Sequence, residues 1–238
     1  MLPTDLQRQT LRHYGNLIAR RESWAGKLVF TAGEGSAATG LPAAVSIAGG
    51  CTLALDPDAA AVKATFRQGG IDFVVNTLDE ALRVLKNEVR QHKPLGVGLI
   101  AELVPVLAEI AARGVLPDLQ VRLDPPSNPM LVPSSPMPQL TGVTQLHLIN
   151  ADGIAAPTET LTHWLATHSL TETLVQPTTS LRSLDDQLLT LIPSDDIVRR
   201  HWLQRISHYQ RPTPGVPRVL WLTPAEQAAL TQPGTPTL

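Results

Sequence analysis

The stretch Lys27–Asp56, KLVFTAGEGSAATGLPAAVSIAGGCTLALD, reads in order as a strand, a glycine-rich loop, a helix and a second strand that ends on an acid. Leu28, Val29 and Phe30 form a short apolar run bounded by turn residues, which predicts a buried parallel strand. Gly33, Gly35 and Gly40 bracket a loop whose intervening residues, Ser36, Ala37, Ala38 and Thr39, are small. Pro42 suits the first turn of a helix, where its missing N–H costs nothing. Ala43, Ala44, Val45, Ile47 and Ala48 continue that helix with side chains small enough to pack closely on a sheet. Cys51 to Leu55 predict the second strand, with Asp56 at its carboxyl end. A helix start attracts phosphate, and an acid about twenty residues after the glycines is placed to accept from a ribose hydroxyl. The candidate cofactor-binding residues are therefore Gly33, Gly35, Ser36, Ala37, Ala38 and Asp56. The spacing is Gly-x-Gly-x-x-x-x-Gly, so a second reading stays open. In it the glycines only end a strand tightly, and Asp56 caps the helix that starts near Pro57.

Outward from this stretch, Asp5 to Arg21 predicts an amphipathic helix. From Lys27 to about Arg122, short apolar runs alternate with helical segments. Helices are predicted over Asp58–Arg67, Leu78–His92 and Val104–Ala112, strands over Ile71–Val75, Leu95–Ile100 and Leu119–Val121. The pattern Thr77-x-x-Glu80 marks a helix start. Strands separated by helices of this length predict an α/β fold with a doubly wound, mainly parallel sheet. The six prolines of Leu123–Pro138 rule out a central strand or a continuous helix there. Beyond them, strands are expected at Gln145–Ile149, Thr173–Val175 and Val216–Leu222. Helices are expected at Thr158–Thr167, Ser183–Leu191, Asp195–Tyr209 and Pro224–Leu230. The expected organisation is an N-terminal helix (1–24), an α/β domain (25–133), and a C-terminal α/β segment (134–238) packing on the same sheet.

Composition narrows the function classes. A net charge of −2 with no Lys/Arg cluster gives no case for nucleic acid. Arg20–Arg21 and Arg199–Arg200 read as solvated helix faces. No run of eighteen apolar residues supports a membrane span, and the segment MLPTDLQRQTLRHYG has no apolar targeting core, so the expectation is a cytoplasmic protein. Cys51 is the only cysteine, which removes intramolecular disulfides and cysteine-based zinc sites, and its apolar context predicts an inert core thiol. His201 and His208, seven apart on one helix, lack the carboxylate that a metal site needs; no metal is expected. Asp195-Asp196 reads as a helix cap, and Asp185-Asp186 as an aid to starting the helix toward Leu191.

Two separated blocks resemble urocanate hydratase (urocanase). In the first, from about His13 to Pro133, GKLVFTAG (Gly26–Gly33), LPAAVSIAGG (Leu41–Gly50), IDFVVNTLDEAL (Ile71–Leu82) and IAARGVLPD (Ile110–Asp118) follow the family's order and spacing. In the second, from Leu191 to Leu230, LIPSDDIVRRHWLQRI and GVPRVLWLTPAEQAAL do so. The resemblance implies a Rossmann-like domain binding NAD, whose nicotinamide in that family acts as an electrophile toward the substrate imidazole before water is added. Departures accompany it. Of the family's loop only Gly35 and Pro42 stay in place, the family Glu at the end of the second strand is Asp56, and an Arg five residues later is Ala61. The family Asn-Ala of the next turn falls on Glu102-Leu103, and a further cofactor loop falls on Leu123–Pro129. The family's terminal core segments find no counterpart. The expectation is a urocanase-like protein binding NAD or a related nucleotide. Any hydro-lyase activity would need a homodimer or a partner chain to supply missing groups. The alternatives are a non-catalytic paralogue serving as an interaction module, and one chain of a split urocanase.

Overall fold

The computed structural model describes residues 3–33, 36–123, 143, 145–148, 158–210 and 215–231. The proline-rich stretch, Glu34 and Gly35 lie outside them. Helix α1 (Pro3–Ile18) precedes strand β1 (Leu28–Ala32), a single 3-10 turn (Ser36–Thr39), α2 (Leu41–Ile47) and β2 (Cys51–Asp56). The chain continues through α3 (Ala59–Gln68), β3 (Phe73–Val75), α4 (Leu78–Gln91), β4 (Leu95–Ile100), α5 (Leu103–Ala112), β5 (Leu119–Leu123) and β6 (Gln145–Leu148). The six strands form one parallel sheet in the order β3-β4-β2-β1-β5-β6.

Alternation along each strand sends side chains to opposite faces, and both faces are covered. Phe30, Ala32, Leu53, Leu55, Val97 and Leu99 point to one face, where Ala81 and Leu85 of α4 and Leu107 and Ile110 of α5 close over them. Val29, Leu119 and Val121 point to the other, beneath α1 and α2, while Ala54 meets Val62 of α3. The connections that move toward β3 thus use one face and those that return toward β5 use the other, as crossovers of a single hand require. This is a Rossmann-like doubly wound fold. Strand order reverses at β1, with β2 on one side and β5 on the other, so the topological switch point lies at the carboxyl ends of β1 and β5.

Local signals act where the sequence placed them. The Thr77 hydroxyl accepts from Glu80 N–H and starts α4. Asp58, rather than Asp56, caps α3, taking hydrogen bonds from the N–H groups of Ala60 and Ala61. Asp196 caps α8 (Ile197–Tyr209) through Arg199 N–H.

Among the described residues the C-terminal segment joins the main sheet through β6. Its α6 (Glu159–Thr167), β7 (Thr171–Val175), α7 (Leu181–Leu191), α8, β8 (Arg218–Leu222) and α9 (Pro224–Thr231) build a further layer. There β7 and β8 pair only with each other, antiparallel, and the layer rests on α1 and α2. One apolar cluster runs from Val29 of the sheet through Leu11 and Tyr14 of α1 to Trp202, Ile206 and Trp221. Helix α1 is therefore sandwiched, and Gly15 is the close-approach point: a Cβ there would meet the Trp221 ring at 2.5 Å. Two buried ion clusters fasten the layer. Arg199, 4% exposed, pairs with Asp196 and with both oxygens of Glu226. Arg218, 1% exposed, pairs with both oxygens of Asp185 at 2.7 and 2.6 Å. The reading of Arg199 as a solvated face and of Asp185 as a helix starter is thereby corrected. Each is an enclosed ion whose partner lies 27 or 33 residues away.

Candidate functional site

The glycine-loop residues that are described gather at the carboxyl end of β1, on the switch point. Gly33, at φ +141°, donates its N–H to Leu55 O at 3.3 Å and extends the β1–β2 ladder by one residue. The chain then turns through Ser36–Thr39 into α2. Asp56 comes to this turn from the end of β2, so the structure does bring Gly33, Ala37, Ala38 and Asp56 together. It is fully enclosed: Oδ2 accepts from Ala37 N–H at 3.2 Å and Oδ1 from Asp58 N–H at 2.9 Å. The carboxylate therefore ties the turn to the start of α3. Ala37 is itself buried, against Ala54, Val62 and Ile71, while Ala38 is half-buried.

Helix α1 closes over the other side of the turn. His13 is 3% exposed and its ring hydrogen-bonds to the Thr39 backbone. Burial, which disfavours the imidazolium, pulls its pKa down to about 4 despite that bond. Thr10 lies against Gly40, whose φ of +76° and whose lack of a Cβ are both required: a Cβ would run into the Thr10 hydroxyl. That hydroxyl donates to Leu6 O and accepts from Gln210 Nε2 at 2.6 Å. The start of α2 is correspondingly occupied. Leu41 N–H is taken by Thr39 Oγ1, Pro42 has no N–H, and all seven residues of α2 are buried. Across the switch point, Glu102 stands exposed at the start of α5 with no capping hydrogen bond.

Residues 8–125, about half of the chain, match the family model of the urocanase Rossmann-like domain. The chain is a divergent urocanase relative.

Within the matched region the described N–H groups of Ala37 and Leu41 are taken by Asp56 and Thr39. Cys51, at the other end of β2, is buried and donates to Lys93 O; burial pushes its thiol up to about 11, which makes it unreactive as a nucleophile. Among the described residues no three His, Cys, Asp or Glu side chains converge in a way that could hold a metal ion. No described helix is long and apolar enough to cross a membrane.

Beside the loop lies a cavity of about 450 Å³. Ala38 reaches its rim from the urocanase loop. One wall is α3 through Ala61, Ala64 and Arg67; the other joins Leu6 of α1 to Leu181 and Arg218 of the C-terminal layer. It is not legible in the sequence, because its walls come from six segments spread over more than two hundred positions. Its one local trace is the run of alanines 59–61 and 64, which leaves a helix face without large side chains.

Proposed function

We propose that the chain is a urocanase-like protein that binds NAD or a related nucleotide over Gly33 and the 36–39 turn, and that hydro-lyase activity requires groups from a second chain. The observation that carries this reading is the placement of a urocanase-type loop at the switch point with a carboxylate from β2 pinning it. The site fits such a ligand through its backbone: the described residues of the loop are small. It does not fit through its side chains. Asp56 is committed to Ala37 and Asp58, so it acts on a nucleotide only by shaping the loop. The chemistry that NAD supplies in the family is electrophilic.

The same enclosure of Asp56 favours a second reading, a non-catalytic relative whose loop has become a structural element. Calorimetry separates the two. Under the first, NAD binds with a Kd of about 0.1–1 mM, weak because two of the loop's donors are already used. Absence of heat at roughly ten times that concentration would refute it in favour of the second. Urocanate loss, followed by absorbance, is expected to stay at background with the purified chain and NAD.

A further inference from the structure

The cavity between α3, α1 and the C-terminal layer is distinct from the crest of the sheet, and its chemistry differs from that of the loop. Three features define it. First, its described lining includes no Asp or Glu, while two guanidinium groups, Arg67 and Arg218, reach it. Arg218 is neutralised by Asp185 from behind, yet it is incompletely used. Its Nε and one terminal nitrogen bind Asp185 and Ser207, whereas the other terminal nitrogen has only a long contact of 3.5 Å to Gln7 Oε1. Second, Arg67 is exposed in the last turn of α3, and no carboxylate of the described residues pairs with it. The wall therefore carries a net positive charge. Third, beside Gln7, Thr65, Gln68 and Gln210 the described lining has an aliphatic part. Leu6, Ala61, Ala64, Leu181 and Val216 form it, with no aromatic ring on which a base or a planar ring would stack.

We propose that this cavity binds a small amphipathic anion, a carboxylate or phosphate carried on an aliphatic body, with the head against Arg67 and Arg218 and the body along the alanine face of α3. A guanidinium holding an anion gains from charge-assisted hydrogen bonds, and Arg218, 1% exposed, is already desolvated where it lines the cavity. A volume of about 450 Å³ lies within the ordinary range for small-molecule sites. The site joins the urocanase-type domain to the C-terminal layer, so its occupant would tie the two together.

The test uses the full chain with octanoate and octyl phosphate as probes, and octanol and inorganic phosphate as controls, read by calorimetry and by thermal shift. One of the two amphipathic anions is expected to bind with a Kd below about 1 mM, and the stronger of them identifies the head group. Octanol and inorganic phosphate are expected to bind at least about tenfold more weakly. Arg67→Gln, a surface change, should weaken the anion about tenfold. Ala64→Leu, a good helix former that fills the cavity, should abolish binding without lowering the melting temperature. No saturable binding of either anion, equal binding of octanol, or an unchanged affinity in Arg67→Gln would overturn the proposal. NAD heat provides an independent arm. Arg67→Gln should leave any NAD binding as it was, and parallel loss of both would place the anion at the loop and refute a separate site.

Discussion

Asp56→Ala tests how the loop is held. The carboxylate is 0% exposed and accepts two backbone hydrogen bonds, from the buried Ala37 N–H and from the partly buried Asp58 N–H. Hydrogen bonds to a charged acceptor contribute about 1.5–3 kcal/mol each. After truncation the Ala37 N–H has no acceptor and bears the full penalty, whereas Asp58 N–H can turn to water and loses less. Removing an enclosed charge returns part of its desolvation cost. The net expectation is a loss of about 2–3 kcal/mol. A domain with about 5–15 kcal/mol of stability stays folded after such a loss. For a chain of this size the melting temperature should fall by roughly 4–10 °C. Urea unfolding followed by circular dichroism measures the free energy, and amide exchange at Ala37 reports the local effect. Asp56→Asn, which keeps one acceptor oxygen, should fall between the variant and the wild type. A loss below about 0.5 kcal/mol with unchanged exchange at Ala37 would refute the claim that this acid anchors the loop.

Two further predictions concern the packing around it. Because the His13 pKa is lowered to about 4, the unfolded chain binds a proton that the folded chain refuses between pH 6.5 and 4. Stability from this group is thus full above pH 6.5 and is lost as pH falls, by about 3 kcal/mol in all. Urea titrations at pH 7, 5.5 and 4.5 should show His13→Gln losing less than wild type over that window; parallel curves would refute it. Arg218→Met leaves Asp185 enclosed with only the Ser207 hydroxyl beside it, and should cost about 3–5 kcal/mol in the urea midpoint. The double variant Arg218→Met/Asp185→Leu should recover most of that loss, and failure to recover would show that the pair's charges are not what matters.

The contrast between what the sequence reveals and what it hides follows the range of the forces involved. Periodicity and capping act within a few residues, so the elements read from Lys27 to Val121 differ from those found by only a few residues at each end. Thr77, Pro42 and Gly114 punctuate as their chemistry dictates. Cys51 is likewise legible, since an apolar context of immediate neighbours is enough to bury it. Arg199 and Asp185 are not, because helical position alone cannot tell a solvated charge from one that meets Glu226 or Arg218 across a fold. The packing of the C-terminal layer was illegible for the same reason. Strand β8 is apolar enough to join the main sheet, but α1 already covers that face, and the strand pairs with β7 above it.

The fate of the loop is a concerted one. A glycine loop can cradle an anion only while its N–H groups face outward, and an acid can accept from a ribose only while its oxygens are free. Here the acid is shorter and meets Ala37. Thr39 turns its hydroxyl to Leu41 N–H, and α1 brings His13 and Thr10 down on Thr39 and Gly40. The N–H groups of Ala37 and Leu41, which an anion would otherwise take, are thus held within the chain. Reversing one alone therefore does not reopen the cradle. Lengthening Asp56 by a methylene would press into a space that is fully closed, and Ala37 beside it already fills the gap between Ala54, Val62 and Ile71. The polar groups that remain unspent lie a few residues away, on Arg67 and Arg218, at the seam where the C-terminal layer meets α3. Those two guanidinium groups line the cavity from α3 and from β8.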